Sequence, residues 1–557
     1  MQAEKNNLKK YVRSIPQCFL AVATLFSVFG VFYYTIGLSK NFVNTDIFDT
    51  LLWAKASYES GKIFAPDFCY SAFLPFGGSL LMLPFIKFFG VSFTTHVIGM
   101  VLFEIIFLVS FVIFFKKIGF NANWIMFALI ANCGLWMCSD KFREMFMEHI
   151  IYYSLSALFI LIGYTIISSL IENLKSSERK KQSIVLGVAA FVFFTLVATD
   201  GFQIVGLATV PVIAAVVCER FFDLKTKLFS KDNKAEIIAV MLVGVATIAG
   251  LMIIKKLLNG NVSEYASSFS QYDTNDHIYM YPSKIKSFID CWYRLFEVFF
   301  ISGTALTNTA QIPTLISAVF ATVLLATVPV TALFYKKLKS EHNKRIFWIA
   351  FFVFAVMIAL WVLSTVSGIN WSNNIGVEWR LIPAVYASFL LLIADLRLLF
   401  EHVITRRFSV IIILIMIMSM YPSVNYFLAY TPTDNNAGYS ELIEKIDNYG
   451  ITEGYGNYWI AGTLNVITKE RINTVFTIYR TDEIIHIYNY QQFPYKHNST
   501  SKNTFLIIKR DQVVFFEESD GYKKHKDNLL EKYETGGQFG YVVYFYDCDI
   551  YGTIIQD

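Results

Sequence analysis

QCFLAVATLFSVFGVFYYTIGL, residues 17–38, decides the architecture before any other stretch does. The run contains no Asp, Glu, Lys or Arg, and at ~1.5 Å per helical residue it is long enough to cross ~30 Å of hydrocarbon. Its amino-terminal flank, Met1 to Pro16, is polar and carries Lys5, Lys9, Lys10 and Arg13. Basic residues collect on the cytoplasmic side of a span, so the N-terminus is expected in the cytoplasm. The run exceeds a signal-peptide core and is not directly followed by an A-x-A-like cleavage site, so it is expected to remain as the first membrane helix.

The rest of the chain repeats this pattern. Of 557 residues, 55% are hydrophobic and 16% charged, with 53 Phe and a mean hydropathy of +0.48. A water-exposed surface is hard to build from that composition. The net charge of +4 is too small for this length to suggest a nucleic-acid partner. The seven cysteines, Cys18, Cys69, Cys133, Cys138, Cys218, Cys291 and Cys548, show no metal or redox spacing and read as small core hydrophobes.

About eleven spans are expected, near 17–38, 92–115, 123–138, 150–171, 183–199, 203–222, 235–258, 313–335, 347–365, 381–400 and 408–426. Basic clusters at Lys116/Lys117, Lys175–Lys181, Arg220–Lys234, Lys336–Arg345 and Arg406/Arg407 fall in alternate loops, as cytoplasmic segments should. An odd number of spans starting inside puts the C-terminus outside. The localisation expected is therefore a multi-pass protein of the cell membrane, N-terminus cytoplasmic and final domain extracytoplasmic.

Three outer segments are long: 39–91, 259–311 and 367–380. The stretch 74–89, broken by Pro75, Gly77, Gly78, Pro84 and Lys87, reads as an interfacial helix, and 283–300 has a similar amphipathic look. After Tyr430 the chain turns polar. The expected organisation is a transmembrane domain over 1–430 and a small soluble α/β domain over 431–557. In the latter, Ser440–Asn448 reads as a helix with Ser440 as N-cap. Arg471–Ile478, Thr504–Lys509, Val513–Glu517 and Gly540–Tyr546 read as strands from their β-branched and aromatic content.

Chemistry concentrates in NTDIFDTLLWAKASYESGKIFAPDFCY, residues 44–70. Asp46 and Asp49 stand three apart, which places them on one helix face, soon after the first span. A carboxylate there can serve as general base for an acceptor hydroxyl, or as a helix cap. Downstream come A-x-x-x-x-G-K-I-x-x-P, from Ala56 to Pro66, and LPFGGSLLMLPFIKFFGVS, residues 74–92.

This succession of basic N-terminus, span, acid-bearing outer loop and apolar turn resembles the GT-C superfamily of polyprenyl-phosphate-dependent glycosyltransferases. That superfamily includes protein O-mannosyltransferases and lipid A aminoarabinose transferases. The resemblance implies a polytopic GT-C-like helical fold carrying a small extracytoplasmic α/β domain. It also implies inverting transfer of a sugar from a polyprenyl-phosphate donor to a hydroxyl of an envelope glycan, lipid or protein, in contact with membrane lipids. No cofactor is implied, with a divalent metal left open.

Members commonly carry Asp-Glu in the first outer loop; here Asp46-Ile47 stands there with Asp49 next, so the base falls on Asp46 and Asp49 is its companion. A second acid commonly follows the third span, where Asp140, Glu144 and Glu148 lie, with Glu148 and the adjoining His149 the best match. Arg380, in EWRLIP, resembles the R-Y-x-x-P that opens a late span and would hold the donor phosphate, against a snorkelling or ion-pairing role. Asp200, in ATDGFQ, sits where relatives often have Lys-Gly, which reverses the sign at a candidate donor position.

In the final domain GYGNYWIAGTL, residues 454–464, offers Tyr455, Tyr458 and Trp459 either as sugar platforms or as core. Walker A, GxSxG, HExxH and dinucleotide patterns are missing, and so is a WWDYG-like motif. The alternative from another class is a transporter or lipid flippase that uses its acids as ion or proton sites.

Overall fold

In the computed structural model the described residues are 2–224, 233–258, 312–338, 340–366, 377–402, 437–479, 485–488, 491–497, 503–535 and 540–556. The chain is an α-helical polytopic membrane protein with a C-terminal sheet domain. It divides into two compact units. One comprises Met1–Tyr34, Phe103–Lys256 and Tyr272–Thr431; the other comprises Thr35–Leu102, Leu257–Gln271 and Pro432–Asp557.

Among the described residues, eight helices are long and apolar enough to cross a membrane: 17–42, 93–117, 152–175, 180–199, 201–222, 234–258, 341–359 and 381–399. Each coincides with an expected span. In the first unit, α1 (Gln2–Tyr33) packs on α5 (Ala122–Met137), and Glu341–Val366 packs against both Val210–Leu224 and Val377–His402. The windows in 152–175 and 381–399 are 78% and 72% buried, against 28% for 17–42, so the first two are packed inside and the last leaves most of its side chains uncovered. Close approach is built in at Gly250, where a Cβ would lie 2.2 Å from the Thr195 carbonyl oxygen.

The third expected span is present as the helix Ala122–Met137, and with the stretch that follows it forms a broken span or a re-entrant loop. Ala122–Met137 is followed by a short helical stretch bent 112° from it, ending in a π turn over Glu144–Glu148. The sixteen residues of α5 fall short of the ~20 a straight span needs, and the chain turns instead. The next span begins at Tyr152, so Glu148 and His149 precede it rather than open it. Ile312–Phe334 is a helix at the place of the eighth expected span. The eleventh, 408–426, and the amphipathic stretch 283–300 lie outside the described residues.

The second unit joins the loop after the first span to the C-terminal segment. Among the described residues its sheet has seven strands, in the order β5-β6-β4-β1-β2-β3-β7. These are β1 Glu453–Asn457, β2 Asn473–Tyr479, β3 Ile485–Ile487, β4 Thr504–Lys509, β5 Leu529–Glu534, β6 Tyr541–Tyr546 and β7 Ile555–Gln556. Helix Tyr458–Ile467 is the crossover between the parallel pair β1 and β2. The sequence of β1, EGYGN, suits its two faces. Tyr455 points into a core with Leu506, Val542 and Tyr544, while a Cβ at Gly454 would lie 2.4 Å from the Phe505 ring.

Val513–Glu517, expected as a strand, is a helix over Val513–Glu518. Val513 and Phe516, three apart, are buried while Val514 and Phe515 are exposed, so helical burial periodicity overrides β propensity. Likewise the helix at Ser440 begins earlier, at Ala437, and the interfacial stretch becomes α3 (Ser79–Phe89), which packs on α2 (Asp49–Ser60). Between α3 and α5 runs α4, Phe93–Lys117.

Candidate active site

Two residues of one short segment anchor the site. Asp46 opens a 3-10 turn, Asp46–Phe48, and Asp49 begins α2 directly after it. Both carboxylates reach one hydroxyl: Tyr458 Oη is 2.8 Å from Asp49 Oδ1 and 3.4 Å from Asp46 Oδ1. Tyr458 is the first residue of the crossover helix, whose N-cap is the Asn457 side chain, accepting from the Trp459 N–H at 3.0 Å. The turn is tied to that helix through Thr45, whose hydroxyl lies 2.9 Å from the Tyr458 carbonyl oxygen and 2.7 Å from that of Trp459. Only a glycine fits at 462, because a Cβ there would lie 2.3 Å from Thr45 Cγ2.

The two acids have different surroundings. Asp46 is half-buried, whereas Asp49 is only 7% exposed. Burial raises the Asp49 pKa well above the usual carboxylate range, the negative charge of Asp46 raises it further, and hydrogen bonds from Tyr458, Ser71 and Gln491 partly offset this. Asp49 is therefore inclined to keep its proton.

A polar chain supports Asp49 from behind. Ser71 Oγ donates to Asp49 Oδ2 at 3.1 Å, the Gln491 amide donates to Ser71, and Trp53 Nε1 donates to Gln491 Oε1 at 2.7 Å. Gln491 adopts a left-handed backbone, φ +55°, and is buried. A non-glycine residue held there costs on the order of 1–3 kcal/mol and persists only where its surroundings fix it. Here Gln491 N–H donates to the Cys69 carbonyl at 2.8 Å, Cys69 N–H to the Gln492 carbonyl at 3.2 Å, and Phe68 packs on Phe493.

The remaining candidates lie in the other unit or beyond description. Glu148 is buried and accepts from the Tyr34 hydroxyl; His149, also buried, takes a hydrogen bond from Ser154 Oγ on its carbonyl. Arg143, fully buried, sits with its guanidinium 5.6 Å from the Tyr34 ring centre and donates to the Met137 carbonyl at 2.9 Å. Sequence reasoning passed over Arg143, although an arginine between two acidic positions of a short loop was the available signal. Asp200 is buried in the one-residue corner between spans 180–199 and 201–222, with Gly201 at φ +89° completing the turn. Arg380 lies in the first turn of Val377–His402, and its side chain is outside the described residues. Of the three aromatic candidates in the final domain, Tyr455 and Tyr458 are buried and Trp459 is 46% exposed. Among the described residues no cluster of three or more His, Cys, Asp or Glu is placed to hold a metal ion.

No family model matches this chain, and no curated protein matches it. Solved structures do. The Archaeoglobus fulgidus oligosaccharyltransferase, in complex with Zn and sulfate, aligns over 94% of this chain and 72% of its own, at 13% identity and a TM-score of 0.46. The same protein tethered to an acceptor peptide containing an NVT sequon aligns over 83% of this chain and 64% of its own, at 11% identity and a TM-score of 0.44. ArnT from Cupriavidus metallidurans, bound to undecaprenyl phosphate, aligns over 96% of this chain and 99% of its own, at 12% identity and a TM-score of 0.42.

Proposed function

We propose that the chain is an inverting membrane glycosyltransferase that moves a sugar from a polyprenyl-phosphate donor to an acceptor hydroxyl, with Asp46 as general base. The observation that carries this reading is the carboxylate pair bridged by Tyr458. One acid is buried and disposed to hold its proton; the other is half-buried and placed to accept one. Tyr458 has a single hydroxyl proton. It donates to Asp49 Oδ1 at 2.8 Å and lies 3.4 Å from Asp46 Oδ1, which holds the two acids in one orientation. Asp46 then takes the acceptor proton as the acceptor oxygen bonds to the anomeric carbon from the face opposite the phosphate. The bond from that carbon to the phosphate oxygen breaks, and polyprenyl phosphate leaves with its electron pair. The site faces outward in this reading, and the roles implied for Arg380, Glu148 and His149 are proposed with it. For Asp200 the corner geometry favours a structural role over donor binding.

General bases contribute about 10²–10⁴-fold, so Asp46→Asn should insert and fold normally, bind the donor, and transfer at least ~100-fold more slowly. The assay is sugar transfer in proteoliposomes holding a polyprenyl-phosphate sugar. Wild-type rates for both Asp46→Asn and Asp49→Asn would overturn the reading. Altered flux without glycosylated product from any variant would favour a transporter.

A further inference from the structure

Between α2 and α3 lies a cavity of about 380 Å³, within the range that small ligands occupy. Its wall is mainly hydrocarbon and ring, including Trp53, Phe64, Tyr70, Leu74, Leu80 and Leu83. The polar groups on it are few and mostly engaged. The Tyr70 hydroxyl accepts from the Ala65 N–H at 2.9 Å, and Ser57 Oγ donates to the Ile63 carbonyl at 2.9 Å. A sugar ring would need several free hydrogen-bonding groups here, and the cavity does not supply them. Lys62 is the one charge on the wall, exposed and without an ion pair among the described residues. The surrounding surface is apolar and exposed, with Tyr58 at 49%, Ile63 at 59% and Leu80 at 43%. Such a rim on a helix as apolar as α3 suits the edge of a bilayer better than water.

The cavity is also wired to the carboxylates. Trp53, on its wall, bonds to Gln491, Gln491 to Ser71, and Ser71 to Asp49; Ala72, the next residue, lines the cavity. We infer that this cavity is a hydrocarbon subsite for the acceptor: it takes an acyl chain of an anionic lipid while Lys62 pairs with the headgroup charge. The inference rests on the proposed reading and deepens it by naming the acceptor class. The acceptor is chosen over the donor because the group wired to the cavity wall belongs to the pair that receives the acceptor proton.

The test uses the full chain in nanodiscs and photolabelling, a readout independent of transfer. The probes are phosphatidic acid with a diazirine at the end of one acyl chain, the corresponding neutral diacylglycerol, and a diazirine-bearing polyprenyl phosphate. The phosphatidic acid probe should label peptides containing Tyr58, Leu80 and Leu83. Leu80→Trp, at the exposed mouth, should cut that labelling about tenfold, equivalent to ~1.4 kcal/mol. Phe88→Trp, on the same helix but away from the cavity, should leave it unchanged. Lys62→Gln should weaken labelling by phosphatidic acid and not by diacylglycerol. Labelling of these peptides by the polyprenyl phosphate probe, or its competition with the acyl probe, would assign the cavity to the donor and overturn the inference. Equal labelling of wild type and Leu80→Trp would also overturn the inference. Correct labelling alongside undiminished transfer by Asp46→Asn would leave the subsite standing and remove the catalytic reading.

Discussion

Asp49 makes the sharpest prediction at the scale of single residues, because its environment and its charge are in conflict. Its pKa is raised in the fold by burial and by Asp46, while in the unfolded chain it returns to ~3.9. The native state therefore holds a proton that the unfolded chain has released, so its stability falls as pH rises from about 4 through the native pKa, and the loss is complete above it. Thermal unfolding in detergent should show this decline for the wild type and a flatter profile for Asp49→Asn. A steeper decline in the variant would refute the assignment. Tyr458→Phe removes the shared hydroxyl and leaves Asp49 short of a partner. It should destabilise the unit by about 1–3 kcal/mol and lower transfer, with donor binding retained. The two acids were visible in the sequence because their spacing is local. Tyr458 was noticed only as a ring, since its bond to Asp49 spans a separation of 409 residues.

At the scale of elements, the loop after the first span and the crossover helix meet at a contact that tolerates no side chain. Gly462→Val forces a branched residue into Thr45 and should cost about 1–3 kcal/mol while displacing Tyr458 from the carboxylates. Restoring space with Thr45→Ala in the same chain should recover part of both stability and transfer; no recovery would show that the contact does not position the site. Gln491 belongs to this scale as well. Its strained backbone is held by the two-bond bridge to Cys69, and its side chain holds Ser71 against Asp49. Gln491→Gly relieves the strain but removes the link, so transfer should drop although stability changes little, a split readable by melting and assay on the same preparation. Strands such as Thr504–Lys509 were legible from local content, whereas Val513–Glu518 was not. Its burial pattern depends on the sheet face it meets.

For the molecule as a whole, the decisive property is sidedness. The proposed reading needs the C-terminal segment on the outer side, and Asp46, Asp49 and Tyr458 are grouped with that segment in one compact unit. An impermeant maleimide applied to spheroplasts should therefore modify Lys524→Cys before permeabilisation. Lys336→Cys, in a loop assigned to the cytoplasm, should react only afterwards. The reverse order would place the carboxylates on the cytoplasmic side and remove polyprenyl-phosphate chemistry as proposed.

The sequence by itself determined that the chain crosses a membrane repeatedly. Hydrocarbon thickness and the cost of burying charge act on each run separately, so length and composition suffice. It also located an acid pair after the first span. What only the tertiary structure decided is which acid is buried, which tyrosine joins the pair, and that residues 35–102 and 432–557 form one unit. Those facts arise from contacts between segments hundreds of residues apart. Desolvation, which raises the Asp49 pKa, depends on what folds over a carboxylate and not on what precedes it in the chain.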